Sequence, residues 1–107
     1  MGAWMYAGTL DEVWVGEMCA LVVGTLEVVL CNIDGDLVAY EDRCPHLANP
    51  LSQGVLRECL LTCAAHEWVF DARTGHGVNP ADANLHRLPV RLDGEKIFVG
   101  VDVGTSL

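Results

Sequence analysis

The chain has 107 residues, of which 51% are hydrophobic and 20% charged, so it suits one folded domain with a modest core rather than a disordered segment. Fifteen acidic residues against six basic ones give a formal net charge of −9, which argues against nucleic acid or an anionic membrane surface as a partner. An acidic surface instead favours approach to basic patches on other proteins.

The start of the chain has no basic residue followed by an apolar run, and no apolar stretch is long enough to cross a membrane. We therefore expect a cytoplasmic protein without a signal peptide or membrane span. The cysteines are five, an odd number, at uneven spacings. In a reducing compartment, metal ligation by some of them is a better explanation than a disulfide framework.

The first predicted element is short, because Asp11-Glu12-Val13-Trp14 forms at most one turn of helix. Three strands rich in Val and Leu follow it, at Met18–Val23, Leu26–Ile33 and Leu37–Tyr40. The Asp34-Gly35-Asp36 segment between the last two is a strong signal for a β-hairpin.

The middle of the chain, from about Arg43 to Asn84, concentrates Cys, His, Pro and Gly between short strands. A second hairpin follows, in which Val90–Leu92 and Lys96–Val101 flank Asp93-Gly94. No segment shows a sustained helical stripe or an internal repeat. The sequence predicts a single all-β domain over residues 1–107, with a loop-built subdomain of about 43–84 inserted into a β-sandwich or barrel.

Two short motifs carry the chemistry, Cys44-Pro45-His46 and, after sixteen intervening residues, Cys63-Ala64-Ala65-His66. Each motif offers one thiolate and one imidazole within a tight turn. A structural zinc site takes the same donors, but usually as a Cys pair followed by a His pair. One Cys and one His in each loop suit a binuclear centre in which one iron takes both cysteines and the other both histidines. Zinc and chance spacing remain alternatives.

With these motifs the chain resembles the Rieske ferredoxins, and within them the ferredoxin component of toluene (aromatic or alkene) monooxygenase systems. Trp14–Met18, Cys63–Phe70 and Thr74–Pro80 carry the narrower likeness. The resemblance implies a Rieske fold, in which an antiparallel β-sandwich base bears a loop-built subdomain that binds one [2Fe–2S] cluster. It assigns two ligands to each iron: Cys44 and Cys63 to the inner one, His46 and His66 to the outer one.

The residues around these ligands resemble the low-potential members of the family. High-potential Rieske proteins have two further cysteines that join the loops by a disulfide, and this chain has Asn49 and Ala65 there. They also have Ser and Tyr hydroxyls that donate to the cluster sulfurs, and this chain has Trp68 and Phe70. Because such hydrogen bonds raise the potential, their absence predicts a low one.

The resemblance implies a one-electron carrier with no catalytic residues of its own. It would take electrons from an NADH-dependent flavin reductase and deliver them to the di-iron hydroxylase of a hydrocarbon monooxygenase, as a monomer. The alternatives are a ferredoxin of a Rieske ring-hydroxylating dioxygenase and a small subunit of a nitrite reductase. A zinc-stabilised binding module is a third interpretation from a different class.

The partners are expected to dock on the loops that carry the histidines. An apolar patch is predicted there, formed by Leu47, Ala48, Pro50 and Leu51 with Trp68 as a candidate member. Pro80 is assigned to a third loop that covers the cluster. Nearby carboxylates would steer the approach, and they are Glu41, Asp42, Glu67 and Asp71.

The remaining cysteines and a loop histidine have no assigned role in the cluster. Cys19, Cys31 and Cys59 lie in apolar surroundings and are predicted to pack in the core. His76 lies between two glycines and is predicted to be a solvated loop residue.

Overall fold

The computed structural model describes residues 2–44, 50–64, 68–79, 81 and 83–102. Within these ranges the chain forms β-strands and two short 3-10 turns, Leu10–Glu12 and Leu51–Gln53. The strands, in chain order, are β1 (Gly2–Thr9), β2 (Met18–Val23), β3 (Leu26–Ile33), β4 (Asp36–Glu41), β5 (Val55–Arg57), β6 (Leu60–Thr62), β7 (Val69–Asp71), β8 (Gly77–Asn79), β9 (Arg87–Leu88), β10 (Val90–Asp93) and β11 (Lys96–Asp102).

The strands form three antiparallel sheets. The base sheet has the order β1-β11-β10 and pairs the beginning of the chain with its end, Gly2 lying opposite Asp102. The central sheet has the order β2-β3-β4-β9, and the loop-side sheet has the order β5-β6-β7-β8. The predicted all-β class and antiparallel base are therefore confirmed.

The predicted hairpin between β3 and β4 is confirmed and has the backbone that its sequence requires. Asp34 has a φ of 54° and Gly35 a φ of 91°, both in the left-handed region. Two-residue turns of this kind match the twist of the paired strands, and they favour Asp or Asn followed by Gly. The predicted helical turn near the start is also present, as the 3-10 turn Leu10–Glu12.

The central sheet contributes to two separate cores, one on each face. Alternate residues of β3 point to opposite sides, so Val28 and Leu30 pack with Ile97 of the base sheet. Val29 and other residues of the opposite face pack with the loop-side sheet. We call the first the base core and the second the loop core. The described residues contain no helix with the length and hydropathy of a membrane span.

A buried hydrogen bond ties the central sheet to the loop-side subdomain. The hydroxyl of Tyr40, on β4, donates to the carbonyl oxygen of Ala72 at 2.7 Å, and both residues are fully buried. Burial raises the pKa of Tyr40 to about 12, because the phenolate would lose its hydration. The folded state therefore holds this tyrosine neutral to a higher pH than the unfolded chain does.

We expect Tyr40→Phe to lower the free energy of unfolding at neutral pH by about 1–2 kcal/mol, because the buried carbonyl of Ala72 loses its donor. In the native chain, the raised pKa of Tyr40 stabilises the folded state fully below the unfolded tyrosine pKa of about 10. This contribution to the free energy of unfolding declines as the pH rises further. Tyr40→Phe should lack this part of the decline, measured by denaturant unfolding at several alkaline pH values. The exposed Tyr6→Phe is the control; equal curves for all three proteins would contradict the prediction.

Candidate metal centre

The structure brings together the two predicted thiolate ligands. Cys44 follows β4 and Cys63 follows β6, so they come from different loops. Their exposed fractions are 0% and 1%, and both belong to the loop core together with Leu51, Leu61 and Phe70. Thiolates in such apolar surroundings need a compensating positive charge, which a shared metal ion supplies. The donor set therefore fits a centre that binds two cysteines on one metal.

Short hydrogen bonds close both ligand loops at their bases. The backbone N–H of Cys63 donates to the carbonyl oxygen of Trp68 at 2.7 Å, which closes the second loop. The first loop is closed by the carboxylate of Asp42, which accepts from the backbone N–H of Ser52 at 2.8 Å and from its hydroxyl at 2.6 Å. The first loop is therefore closed by residues on either side of Cys44, and the second by Cys63 itself and Trp68.

Several residues of the sequence-based site lie outside the described residues. They include both predicted imidazole ligands and part of the predicted docking patch. These residues are His46, Leu47, Ala48, Asn49, Ala65, His66, Glu67 and Pro80.

The described neighbours of the ligands divide between core and surface. Phe70 is fully buried in the loop core, so it does not contribute to a docking surface. Trp68 is partly buried, packs against this core and has its ring centre 6.5 Å from that of Phe70. Pro50 is partly exposed and precedes the second 3-10 turn. Leu51 is fully buried, so its prediction as a surface residue is wrong: its side chain belongs to the same core as the two cysteines.

The hydroxyl donors of high-potential Rieske proteins have no counterpart at the two described positions. Phe70 has no hydroxyl, and Trp68 offers an indole ring where those proteins have a serine. The buried hydroxyl of Tyr40 donates to the carbonyl of Ala72 instead of to a ligand sulfur.

The other three cysteines differ in their surroundings and form no disulfide. Cys31 is fully buried, and burial, with a smaller effect of the Asp42 carboxylate, raises its thiol pKa to about 12. Burial and then Glu12 raise the pKa of the partly buried Cys19. These two therefore remain protonated packing residues, as predicted. Cys59 packs at the edge of the loop core, and its Sγ also accepts from Arg73 Nε at 3.3 Å, a contact that the sequence did not indicate.

The carboxylates predicted to steer partners are not equivalent. Glu41 is partly exposed and lies 3.9 Å from Arg43, while Asp71 is partly exposed and accepts from the backbone N–H of Arg73. Asp42 has an exposed fraction of only 9% and is bound to Ser52, so the prediction that it steers partners is wrong. Its carboxylate instead affects the buried thiol of Cys31, whose pKa it helps to raise.

The loop after β7 is organised by His76. Its side chain is exposed, as predicted, but Nδ1 lies 2.8 Å from Asn84 Oδ1. Since Oδ1 accepts, Nδ1 carries the proton in this assignment. The backbone N–H of Gly77 also donates to the carbonyl of Ala83, so the loop is fastened on both sides of His76.

Comparison with known proteins identifies the same region. A model of the Rieske [2Fe–2S] domain matches residues 3–89. The ferredoxin component of the alkene monooxygenase system of Xanthobacter autotrophicus is 38% identical over 94 residues, covering 87% of this chain and 77% of that protein. The ferredoxin component of biphenyl 2,3-dioxygenase from Rhodococcus jostii is 32% identical over 92 residues, covering 85% of this chain and 86% of that protein.

The fold is also similar to that of a solved structure. The ferredoxin of carbazole 1,9a-dioxygenase from Nocardioides aromaticivorans superposes with a TM-score of 0.82 and 27% sequence identity. The superposition covers 91% of this chain and 96% of that one, so the likeness includes all three sheets.

Proposed function

Because the chain belongs to the Rieske [2Fe–2S] domain family, we propose that Cys44 and Cys63 bind one iron of its cluster and that His46 and His66 bind the other. The cofactor is a Rieske-type [2Fe–2S] cluster. The burial of both thiols in one apolar core is the observation that supports this ligand set most directly. The spacing of the two motifs supports the assignment of the histidines.

The protein is a Rieske ferredoxin, and its function is electron transfer. When bound, the cluster accepts and releases one electron at a time. Two ferric ions, two sulfides and two thiolates sum to zero charge, so neutral histidines make an added electron less costly than four thiolates would. The lack of hydroxyl donors at Trp68 and Phe70 supports a potential at the low end of the Rieske range, suited to a flavin donor.

The proposed acceptor is the di-iron hydroxylase of a multicomponent hydrocarbon monooxygenase, and the proposed donor is an NADH-dependent flavin reductase. The 38% identity with an alkene monooxygenase ferredoxin component supports this acceptor. In this role the chain acts as a cytoplasmic monomer with one domain over residues 1–107 and performs no substrate chemistry. The oxygenase selects the hydrocarbon.

A ring-hydroxylating dioxygenase is the second candidate acceptor. The 32% identity with the biphenyl 2,3-dioxygenase ferredoxin component and the superposition on the carbazole 1,9a-dioxygenase ferredoxin favour it. The two candidates share the cluster and the carrier role and differ only in the protein that receives the electron.

Replacing any one of Cys44, His46, Cys63 and His66 by Ala should abolish the Rieske EPR signal, because an iron loses a ligand and the site cannot assemble. The matched controls Cys19→Ser, Cys31→Ser and Cys59→Ser should retain the signal, since these thiols lie outside the two ligand motifs and act in packing or as a hydrogen-bond acceptor. Iron content and EPR spectra of the purified proteins measure both outcomes. A normal signal in Cys63→Ala would contradict the ligand assignment, and a colourless zinc protein would contradict the cofactor.

The acceptor is tested by mixing the reduced protein with purified oxidised oxygenases in a stopped-flow instrument. We expect one electron per cluster to pass faster to a di-iron hydroxylase than to a Rieske dioxygenase. The rate should fall as salt rises, because a chain of net charge −9 approaches basic surfaces. A faster transfer to the dioxygenase would favour the second candidate, and a rate independent of salt would contradict the electrostatic approach.

A further inference from the structure

A buried carboxylate lies at the base of the first ligand loop. Asp42 is 9% exposed, and its two oxygens accept from the backbone N–H and the hydroxyl of Ser52. Its own backbone N–H donates to the carbonyl oxygen of Glu27 on β3 at 2.9 Å, which fixes it to the central sheet. Aspartate is almost never buried to this degree unless its charge is compensated.

Within the part of the chain that the structure describes, the partners of the Asp42 carboxylate are hydrogen-bond dipoles. Among these residues no Lys, Arg or His side chain forms an ion pair with Asp42, and the neighbouring Arg43 is turned toward Glu41. Two hydrogen bonds from Ser52 therefore stabilise the carboxylate there.

The carboxylate lies close to the ligands in the chain and in the fold. Asp42 precedes Cys44 by two residues, and its partner Ser52 directly follows Leu51. Leu51 packs in the same loop core as Cys44 and Cys63. The contact between Asp42 and Ser52 thus joins the two ends of the loop that contains Cys44 and the proposed ligand His46.

The field of Asp42 also extends into the loop core. After burial, the carboxylate of Asp42 is the second cause of the raised pKa of Cys31. Cys31 belongs to the same core as the two ligand cysteines. A charge that opposes a thiolate in this core also opposes an electron added to a metal centre there, since interactions are weakly screened in a dry interior.

We propose that Asp42 is a positioning and tuning residue of the electron-transfer site: its contact with Ser52 fixes the first ligand loop, and its negative charge holds the reduction potential down. This inference rests on the proposed function, because it assumes the cluster ligands assigned above. Reduction adds one electron from the flavin reductase, and no proton transfer is required.

Asp42→Asn separates the charge from the contact, because the amide oxygen still accepts from Ser52 N–H. We expect its midpoint potential to move upward by the equivalent of a roughly tenfold gain in electron affinity, about 59 mV for one electron. Ser52→Ala keeps the charge and removes one hydrogen bond. Its potential should not rise, but its cluster should be lost several-fold faster to an iron chelator. Redox titration followed by EPR, and chelation followed by absorbance, measure the two effects.

Asp36→Asn is the matched control, because it removes the same charge from a side chain that is 79% exposed at the start of β4. Its potential and chelation rate should equal those of the native protein. If Asp42→Asn does not assemble a cluster, Asp42→Ser supplies a second neutral variant with the same expected shift. If neither Asp42→Asn nor Asp42→Ser assembles a cluster, Asp42 is required for cluster assembly, and its role in tuning the potential is overturned.

The outcomes distinguish this inference from the proposed function. A native protein without a Rieske EPR signal would overturn the proposed function itself. A native signal with equal potentials in Asp42→Asn and the native protein would overturn only the tuning role. An equal rise of the potential in Ser52→Ala and Asp42→Asn would assign the effect to loop position, and would likewise overturn the role of the charge.

Discussion

Two cysteine thiols from separate loops share one apolar core, and the rest of the architecture serves this burial. Cys44 and Cys63 are among the least exposed residues of the chain, although each lies in a connecting segment that would ordinarily face water. Loops reach a core only when other elements cover them and satisfy their backbone polar groups. Here the central sheet and the loop-side sheet both contribute side chains to the core that encloses the two cysteines.

The central sheet is the element that makes this arrangement rigid. Its strand β3 sends alternate side chains into the base core and the loop core, so one strand is fixed from both faces. The base core needs no polar group for function and is filled with residues such as Leu30, Ile97 and Val99. The loop core contains the cysteines and the buried phenol of Tyr40. Stability and chemistry thus occupy opposite faces of one sheet.

The parts of the fold that follow from local sequence were predictable. Strands β2 and β3 have the predicted bounds, because Val-rich runs end at turns whose residues dictate the backbone. The two motifs that contain Cys44 and Cys63 were also visible in the sequence, and the structure places both cysteines in one core, while their ligation of iron stays a prediction. Strand β1 was missed, since it is rich in Gly and Ala, its aromatics Trp4 and Tyr6 are exposed, and its pairing with β11 joins distant parts of the sequence.

The roles of Asp42 and Leu51 were misjudged for a related reason. A charged residue beside Arg43 has the appearance of a solvated position, and its partner Ser52 lies ten residues later, with no periodic pattern between them. Leu51 follows a proline in a loop, where an apolar side chain suggests an exposed patch. Both depend on how the loop folds back onto the central sheet, which is a tertiary property.

In the proposed centre, two cysteines bind one iron and two histidines bind the other. Mössbauer spectroscopy of the protein enriched in ⁵⁷Fe distinguishes this arrangement from others, because sulfur and nitrogen ligands give iron different isomer shifts. We expect two unequal ferric sites in a one-to-one ratio, of which only one becomes ferrous when a single electron is added. Two equivalent iron sites, or a purified native protein without iron, would contradict it.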